Sequence, residues 1–195
     1  MPGQVSVAKR RRAGRCVDKL SFFLVGATAL GGCSLSLGAA GTRAWSAPTS
    51  NHVGVTTKGW LALPNEYRYV AGFEASVLGQ TSPSIASDQW RVGPVGGYSV
   101  RPETTNFGWE ILARAQLMRG SQGTFNGVGF VFGTEAGFPF QFSKRQPWNE
   151  QFSSLRQYIV PSIGLNGVIG NHQSIHPELT VTLSYRFEFI TLGLP

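Results

Sequence analysis

The stretch over residues 179–190, LTVTLSYRFEFI, is the feature that most constrains how this chain folds. Apolar and polar residues alternate through it without a break, which is the period of a β-strand with two chemically different faces. Its length matches the roughly 9–11 residues that a tilted transmembrane strand needs. Its large apolar side chains share one face and must be buried against lipid or against the protein's own interior: Val181, Leu183, Tyr185, Phe187 and Phe189.

The chain from residue 51 onward consists of similar alternating runs separated by turn residues. Eight antiparallel strands with short links are expected, so the sequence predicts an all-β, up-and-down β-barrel over residues 51–195. Proline weakens two of the strands, at Pro139 and Pro161, because it removes a hydrogen-bond donor from the ladder. The predicted strands cover residues 53–63, 67–78, 90–101, 107–118, 124–133, 138–143, 155–169 and 179–190.

The composition favours an all-β chain whose surface is not wholly in water. Only 14% of the residues are charged, against roughly 25% in typical soluble domains. Glycine accounts for 25 of the 195 residues, well above its usual share of about 7%. The net charge of +7 is concentrated at the start, where six basic residues and one acidic residue precede residue 33. The remainder is nearly neutral, so we expect no nucleic-acid partner.

The start of the chain has the parts of an export signal. A basic run at residues 9–12 precedes an apolar stretch over 20–30, and small residues follow. The signal ends in Leu-Gly-Gly-Cys, which resembles the bacterial lipobox, in which the cysteine is acylated and becomes the mature N-terminus. This resemblance implies a signal peptide over residues 1–32 and lipidation at Cys33. The Gly-, Ser- and Ala-rich composition of residues 33–50 predicts a flexible tether.

Two other possibilities for the processing of this segment stay open. Ordinary signal peptidase could cut after Ala40 or Ser46, where small residues recur. Alternatively, residues 20–41 could remain as an uncut apolar span.

Alternation alone leaves open whether the apolar faces point inward, as in a soluble barrel, or outward, as in a membrane barrel. The polar faces carry charges of both signs, Lys58 among them, and such charges can pair inside an eight-stranded barrel. Membrane interfaces favour aromatic rings, and several lie near strand ends: Trp60, Tyr67, Trp90, Tyr98, Trp109 and Phe189. We therefore expect outward apolar faces and the following interior charges: Arg68, Glu74, Arg91, Glu110, Arg114, Arg186 and Glu188.

The strand series and the Tyr-Arg-Phe-Glu-Phe ending of the last strand resemble the small outer-membrane β-barrels of Gram-negative bacteria, the OmpA/OmpX/OmpW-like group. Such barrels usually end on the terminal aromatic residue, whereas residues 190–195 continue here. The resemblance implies location in the outer membrane, contact with outer-membrane lipid, and contact with other envelope proteins through the loops.

One loop carries residue types that suit catalysis. His172 and Ser174 are two residues apart, so they share a face on extended backbone, and Glu178 or Glu188 could orient the histidine. The pair resembles the His-x-Ser-Asn motif of lipid A deacylase barrels, although Ile175 stands where asparagine is expected. A metal site formed by His172, His176 and Glu178 is an alternative. A polar hairpin loop without any chemical role is the other alternative. No phosphate-binding or redox motif occurs, so we expect no cofactor.

These observations predict a non-catalytic outer-membrane protein, structural or interacting, whose barrel interior is mostly filled by side chains. Two alternatives stay open. One is a lipid-anchored soluble periplasmic barrel that binds a hydrophobic ligand or a partner protein. The other is a lipid A-type acyl hydrolase.

Overall fold

The computed structural model describes residues 33–45, 49–62, 67–81, 88–100, 105–122, 125–143, 146–149, 153–170 and 174–191. The predicted signal peptide over 1–32 lies outside them. Among the described residues, no helix is long and apolar enough to cross a membrane. The strands are β1 Cys33–Ala44, β2 Ser50–Ala62, β3 Tyr67–Gln80, β4 Asp88–Val100, β5 Trp109–Gln122, β6 Phe125–Gly137, β7 Phe140–Gln141, β8 Gln146–Asn149, β9 Ser153–Ile169 and β10 Ile175–Thr191.

Eight long strands close a barrel in the order β1-β2-β3-β4-β5-β6-β9-β10, and β10 pairs back onto β1. Every neighbouring pair is antiparallel. The all-β, up-and-down barrel predicted from the sequence is therefore confirmed. Cys33 lies opposite Phe189 at one end of the barrel, called the lower rim here. Ala44 lies opposite Ser50 at the other end, the upper rim.

Strand β1 occupies Cys33–Ala44, where the composition predicted a tether over residues 33–50. The tether prediction is wrong for these 12 residues, since each of them pairs with both β2 and β10. The composition was misleading because inward positions of this strand hold small side chains, which leave room inside the barrel for long charged ones. These positions are Ser34, Ser36, Gly38, Ala40, Thr42 and Ala44.

The sixth strand predicted over residues 138–143 is reduced to the two-residue strand β7. Pro139 directly precedes it and has no N–H to donate, which limits ladder formation. Strand β6 pairs only with the upper part of β9, from Ser162 to Ile169. Strands β7 and β8 pair with the lower part of β9, so this segment covers an edge that β6 leaves open. The eighth barrel strand is thus β1 and not the predicted sixth strand.

Side chains alternate strictly between the two faces of the barrel wall. The inward positions are buried and mainly polar or charged, while the outward positions are exposed and mainly apolar. Two small apolar clusters interrupt the polar interior. One comprises Trp60, Val70, Val95 and Leu112, and the other comprises Met118, Val131 and Val168.

Candidate functional site

The outer wall carries an apolar band that includes the face of β10 identified from the sequence. Val181 is 54% exposed, Leu183 is 58% exposed and Phe187 is 37% exposed. Equivalent exposed side chains occur on the other strands, such as Leu37 on β1 and Phe73 on β3. Monomeric soluble proteins rarely expose apolar patches of more than a few hundred Å². The continuous band is therefore a surface built for contact with an apolar medium.

Aromatic rings concentrate on the outward face near the lower rim. Tyr69 and Tyr98 meet edge to face with ring centroids 5.3 Å apart, and Trp109 lies 6.1 Å from Tyr98. Tyr185 similarly meets Phe187 at 4.6 Å. Amphipathic rings at the edge of an apolar band are the arrangement that a membrane–water interface favours.

Trp60 is an exception to the predicted aromatic positions. It lies inside the barrel and is 3% exposed, although the sequence placed it beside the apolar faces. The guanidinium carbon of Arg186 stacks 4.2 Å from the centre of its ring. An indole is thus placed inside because it packs against a buried cation, an interaction worth about 2 kcal/mol or more when desolvated. The side chain of Tyr67 lies outside the described residues.

A first interior ion pair joins β5 and β10. Arg186 donates from Nη1 to Glu110 Oε2 at 2.8 Å and from Nη2 to Glu110 Oε1 at 2.7 Å. Both side chains are almost completely buried. This fork-to-fork geometry is the strongest form of the arginine–carboxylate pair. Gly137 makes space for it, since a Cβ there would lie 2.7 Å from Glu110 Oε1 and 2.8 Å from its Cγ.

A second cluster contains two cations and two carboxylates from β2, β3, β5 and β6. Glu135 contacts both Lys58 and Arg114. Glu74 lies 3.9 Å from Lys58 and 3.6 Å from Arg114, and Thr56 donates to it at 3.1 Å. Each charge therefore faces opposite charges, which offsets the cost of removing all four from water. The cluster connects four strands through contacts inside the barrel.

A third cluster lies towards the upper rim. Arg91 donates from Nη1 and Nη2 to the two oxygens of Glu178, both at 2.6 Å. Asn166 donates to the same carboxylate at 3.1 Å and to Thr180 at 2.8 Å. The second donor of Arg91 also reaches Gln89, which contacts His52 at 3.2 Å. The interior is thus bridged by polar contacts at this level as well.

The structure places six of the predicted interior charges inside the barrel: Glu74, Arg91, Glu110, Arg114, Arg186 and Glu188. The seventh, Arg68, has its backbone in β3 opposite Ser99, but its side chain lies outside the described residues. Glu135 is an interior charge that was not predicted, because the predicted fifth strand stopped at residue 133, two residues short of it. Glu178 was expected in a loop, whereas β10 begins at Ile175 and includes it.

The proposed catalytic loop is only partly described, because His172 lies outside the described residues. Ser174 Oγ instead lies 2.8 Å from Nε2 of His176. Glu188 lies 12 residues beyond His176 on the same strand, about 40 Å away at ~3.3 Å per residue, so it cannot orient this histidine. Both oxygens of Glu178 are bound by Arg91. The structure thus brings together a serine and a histidine without an available acid from the predicted set.

Among the described residues, no group of three or more His, Cys, Asp or Glu side chains could hold a metal ion. The alternative of a metal site from His172, His176 and Glu178 includes one residue outside this description.

Cys33, the predicted lipidation site, opens β1 at the lower rim and has the same outward parity as Leu35 and Leu37. A thiol here faces the same side as the apolar band. Cleavage after Ala40 would remove most of β1, and cleavage after Ser46 would remove all of it. Either cut would remove residues that pair with both β10 and β2.

No protein-family model matches the sequence, and no curated protein matches it. Solved structures do match its fold. Neisserial surface protein A (NspA) is 13% identical with a TM-score of 0.54, over 80% of this chain and 95% of that chain. Ail, the attachment invasion locus protein of Yersinia pestis, is 15% identical with a TM-score of 0.51, over 81% of this chain and 98% of that chain. At this identity the likeness concerns the fold: the chain has the architecture of the small eight-stranded outer-membrane β-barrels of Gram-negative bacteria.

Proposed function

We propose that this chain is an outer-membrane β-barrel that acts without catalysis, as a structural or interaction protein whose interior is closed by side chains. The observation that carries the proposal is the inverted pattern of the wall. Charges are buried and paired inside, and large apolar side chains are exposed outside. A soluble barrel that holds a hydrophobic ligand requires the opposite arrangement.

The interior supports a closed barrel and not a wide pore. Three ion-paired clusters, centred on Glu110, Glu135 and Glu178, lie at successive levels between the rims. Eight-stranded barrels have an interior just wide enough for side chains to fill. We expect purified protein in planar bilayers to give no stable large conductance, and a porin-like conductance would contradict a closed interior.

Membrane insertion is tested by fractionation. Alkaline carbonate should leave the protein in the membrane pellet, and unheated samples should migrate differently from boiled samples in gels. Complete extraction by carbonate would refute integral insertion. The names of the two similar structures, a surface protein and an attachment invasion protein, support an interaction role over a purely structural one.

Export through a signal peptide over 1–32, with acylation at Cys33, is part of the same proposal. The outward parity of Cys33 at the lower rim supports it, because an attached acyl chain would enter the same layer as the apolar band. Intact-mass analysis of the mature protein tests it directly. The expected mass is that of a chain that begins at residue 33 and carries added acyl chains. Cys33→Ser should lack these acyl chains. A mature chain that begins elsewhere without lipid would refute acylation.

The acyl-hydrolase hypothesis has the Ser174–His176 contact in its favour. Against it, the nearby carboxylate of the predicted set, Glu178, is already bound by Arg91 and Asn166. We expect Ser174→Ala to leave the acylation pattern of outer-membrane lipid unchanged in cells that express the protein. A changed pattern would establish catalysis.

A further inference from the structure

The outer wall has an apolar groove of about 360 Å³ that crosses strands β1 to β4. Its floor consists of Thr57 and Ala75, two small side chains that are cross-strand partners. Leu37 and Val92 continue this row of partners on either side with larger side chains. Trp90 lies in the next row and closes the groove towards the upper rim. The groove is therefore a depression in the apolar band of the wall.

The chemistry of the groove suits a hydrocarbon chain. The hydroxyl of Thr57 donates to the carbonyl oxygen of Ser36 at 3.1 Å, so it is already bonded within the wall. The other outward side chains that line the groove are aliphatic or aromatic. Atoms that line an unfilled depression lose dispersion contacts, and a flexible acyl chain restores them.

An open path leads to the groove from the lower rim. Gly59 lies between Leu35 and Phe73 in the row directly below the floor. Apart from its chain neighbours, the nearest atom to a Cβ at Gly59 would be a carbonyl oxygen of β1, at 3.9 Å. Glycine thus leaves a gap between two exposed side chains, and this gap lies next to Thr57 on the outward face of β2.

The slope of the rows directs this path from Cys33 into the groove. Cross-strand partners followed once around the barrel from Cys33 lead back to β1 at Arg43, ten residues higher. The rows therefore climb towards the upper rim in the direction from β1 to β2 to β3. Because barrel strands tilt by about 35–45° from the axis, a line straight up the wall from Cys33 crosses β2 and β3.

The length of this path matches one leaflet of a membrane. The row of Cys33 contains Ala71 on β3, two strands away, and Ala75 lies four residues further up that strand. At about 4.8 Å between strands and ~3.3 Å per residue, the path from Cys33 to Ala75 is about 16 Å long. An acyl chain covers one leaflet, which is about half of the ~30 Å hydrocarbon core. A chain attached at Cys33 therefore reaches the floor of the groove.

We propose that an acyl chain attached to Cys33 runs up the wall past Gly59 and lies in the groove over Thr57 and Ala75. The proposal rests on acylation of Cys33 as proposed above, and it adds a defined position for the attached chain. Attachment at the foot of the path gives this chain a higher effective concentration at the groove than a free membrane lipid has. The lipid anchor is then part of the barrel surface.

The experiment maps the attached chain by photocrosslinking. Cells that express the full chain receive a fatty acid with a terminal diazirine, and membranes are irradiated before the protein is purified. Trypsin releases residues 33–43 with Cys33, residues 69–91 with Ala75, and residues 157–186 from the other side of Cys33. We expect crosslinks from 33–43 to 69–91 to be several-fold more frequent than crosslinks from 33–43 to 157–186.

A matched pair of variants tests the groove itself. Ala75→Phe fills the floor and should lower the crosslink to residues 69–91 several-fold. Ala113→Phe makes the same change at an outward alanine on β5 that does not line the groove, and it should leave the crosslink unchanged. Heat-modifiable migration verifies that both variants fold, and the wild-type distribution decides the question if Ala75→Phe does not.

The outcomes separate docking from acylation. Acylated protein whose crosslinks are divided evenly between residues 69–91 and 157–186 would overturn docking in the groove. Equal crosslinking in the two phenylalanine variants would do the same. Both results would leave acylation intact, as seen from the intact mass. A mature chain without the label would refute acylation and this proposal together.

Discussion

Replacing Glu110 by glutamine should destabilise the barrel strongly, because it leaves Arg186 buried without its carboxylate. The two charge-assisted hydrogen bonds measure 2.8 and 2.7 Å, and both partners are almost fully buried. Breaking a buried pair by removing one partner costs about 3–5 kcal/mol. The glutamine oxygen can still accept one hydrogen bond, so we expect a loss of about 3 kcal/mol in the free energy of unfolding.

Urea unfolding of the protein in lipid vesicles, followed by tryptophan fluorescence, measures this loss. Asp88→Asn is the matched control, since it makes the same chemical change on an exposed side chain with no ion-pair partner among the described residues. It should change stability by less than about 1 kcal/mol.

The double variant Glu110→Leu/Arg186→Met completes the test, because replacing a whole buried pair by apolar side chains is often neutral. It should be clearly more stable than either single variant. A loss below about 1 kcal/mol for Glu110→Gln, or additive effects in the double variant, would refute the reasoning.

Three further substitutions test the outer face of the wall and the packing inside the barrel. Leu183→Arg places a charge in the middle of the outward face of β10 and should cost about 2–4 kcal/mol in vesicles, whereas Phe187→Arg near the lower rim should cost about 0–1 kcal/mol. Equal losses of unfolding free energy for the two arginine variants in urea would contradict the membrane depths assigned to Leu183 and Phe187. Gly137→Ala should cost about 1–3 kcal/mol because its Cβ meets Glu110, and the cost should shrink in a Glu110→Ala background. An unchanged cost in that background would show that the two residues are not in contact.

The alternation of apolar and polar residues was sufficient to predict the barrel, but not the inward direction of its charges. The rule applies directly to β10, where Arg186 and Glu188 are buried while Leu183 and Phe187 are exposed. Because side chains alternate with a period of two, assigning one residue of a strand to a face assigns all the others. The assignment came from rings at strand ends and from mixed charges, both of which reflect the two solvents of a membrane barrel.

Composition was a poor guide where the barrel requires small side chains. Residues 33–44 have the Ser, Gly and Ala content of a linker, yet they form the strand that closes the barrel. The alternation of Ser34, Leu35, Ser36 and Leu37 was the available signal. The opposite error occurred at residues 138–143, where alternating phenylalanines predicted a full strand and only a two-residue strand forms.

The specific ion pairs could not be predicted from the sequence, because they depend on the register and closure of the barrel. Glu110 and Arg186 are 76 residues apart, and Arg91 and Glu178 are 87 apart. Trp60 illustrates the same limit: it shares the inward parity of Lys58, but its partner Arg186 does not follow from the sequence. Periodicity predicts which face a residue occupies, and the tertiary structure determines its partner.

The central claim is that the apolar face of the wall contacts lipid and the polar face does not. Variants that retain only Trp90 or only Trp60 test it in vesicles containing brominated phosphatidylcholine, which quenches indoles in contact with acyl chains. Trp90 is 61% exposed on the outer wall and Trp60 is 3% exposed inside. We expect strong quenching of Trp90 and little quenching of Trp60. Equal quenching, or stronger quenching of Trp60, would contradict it.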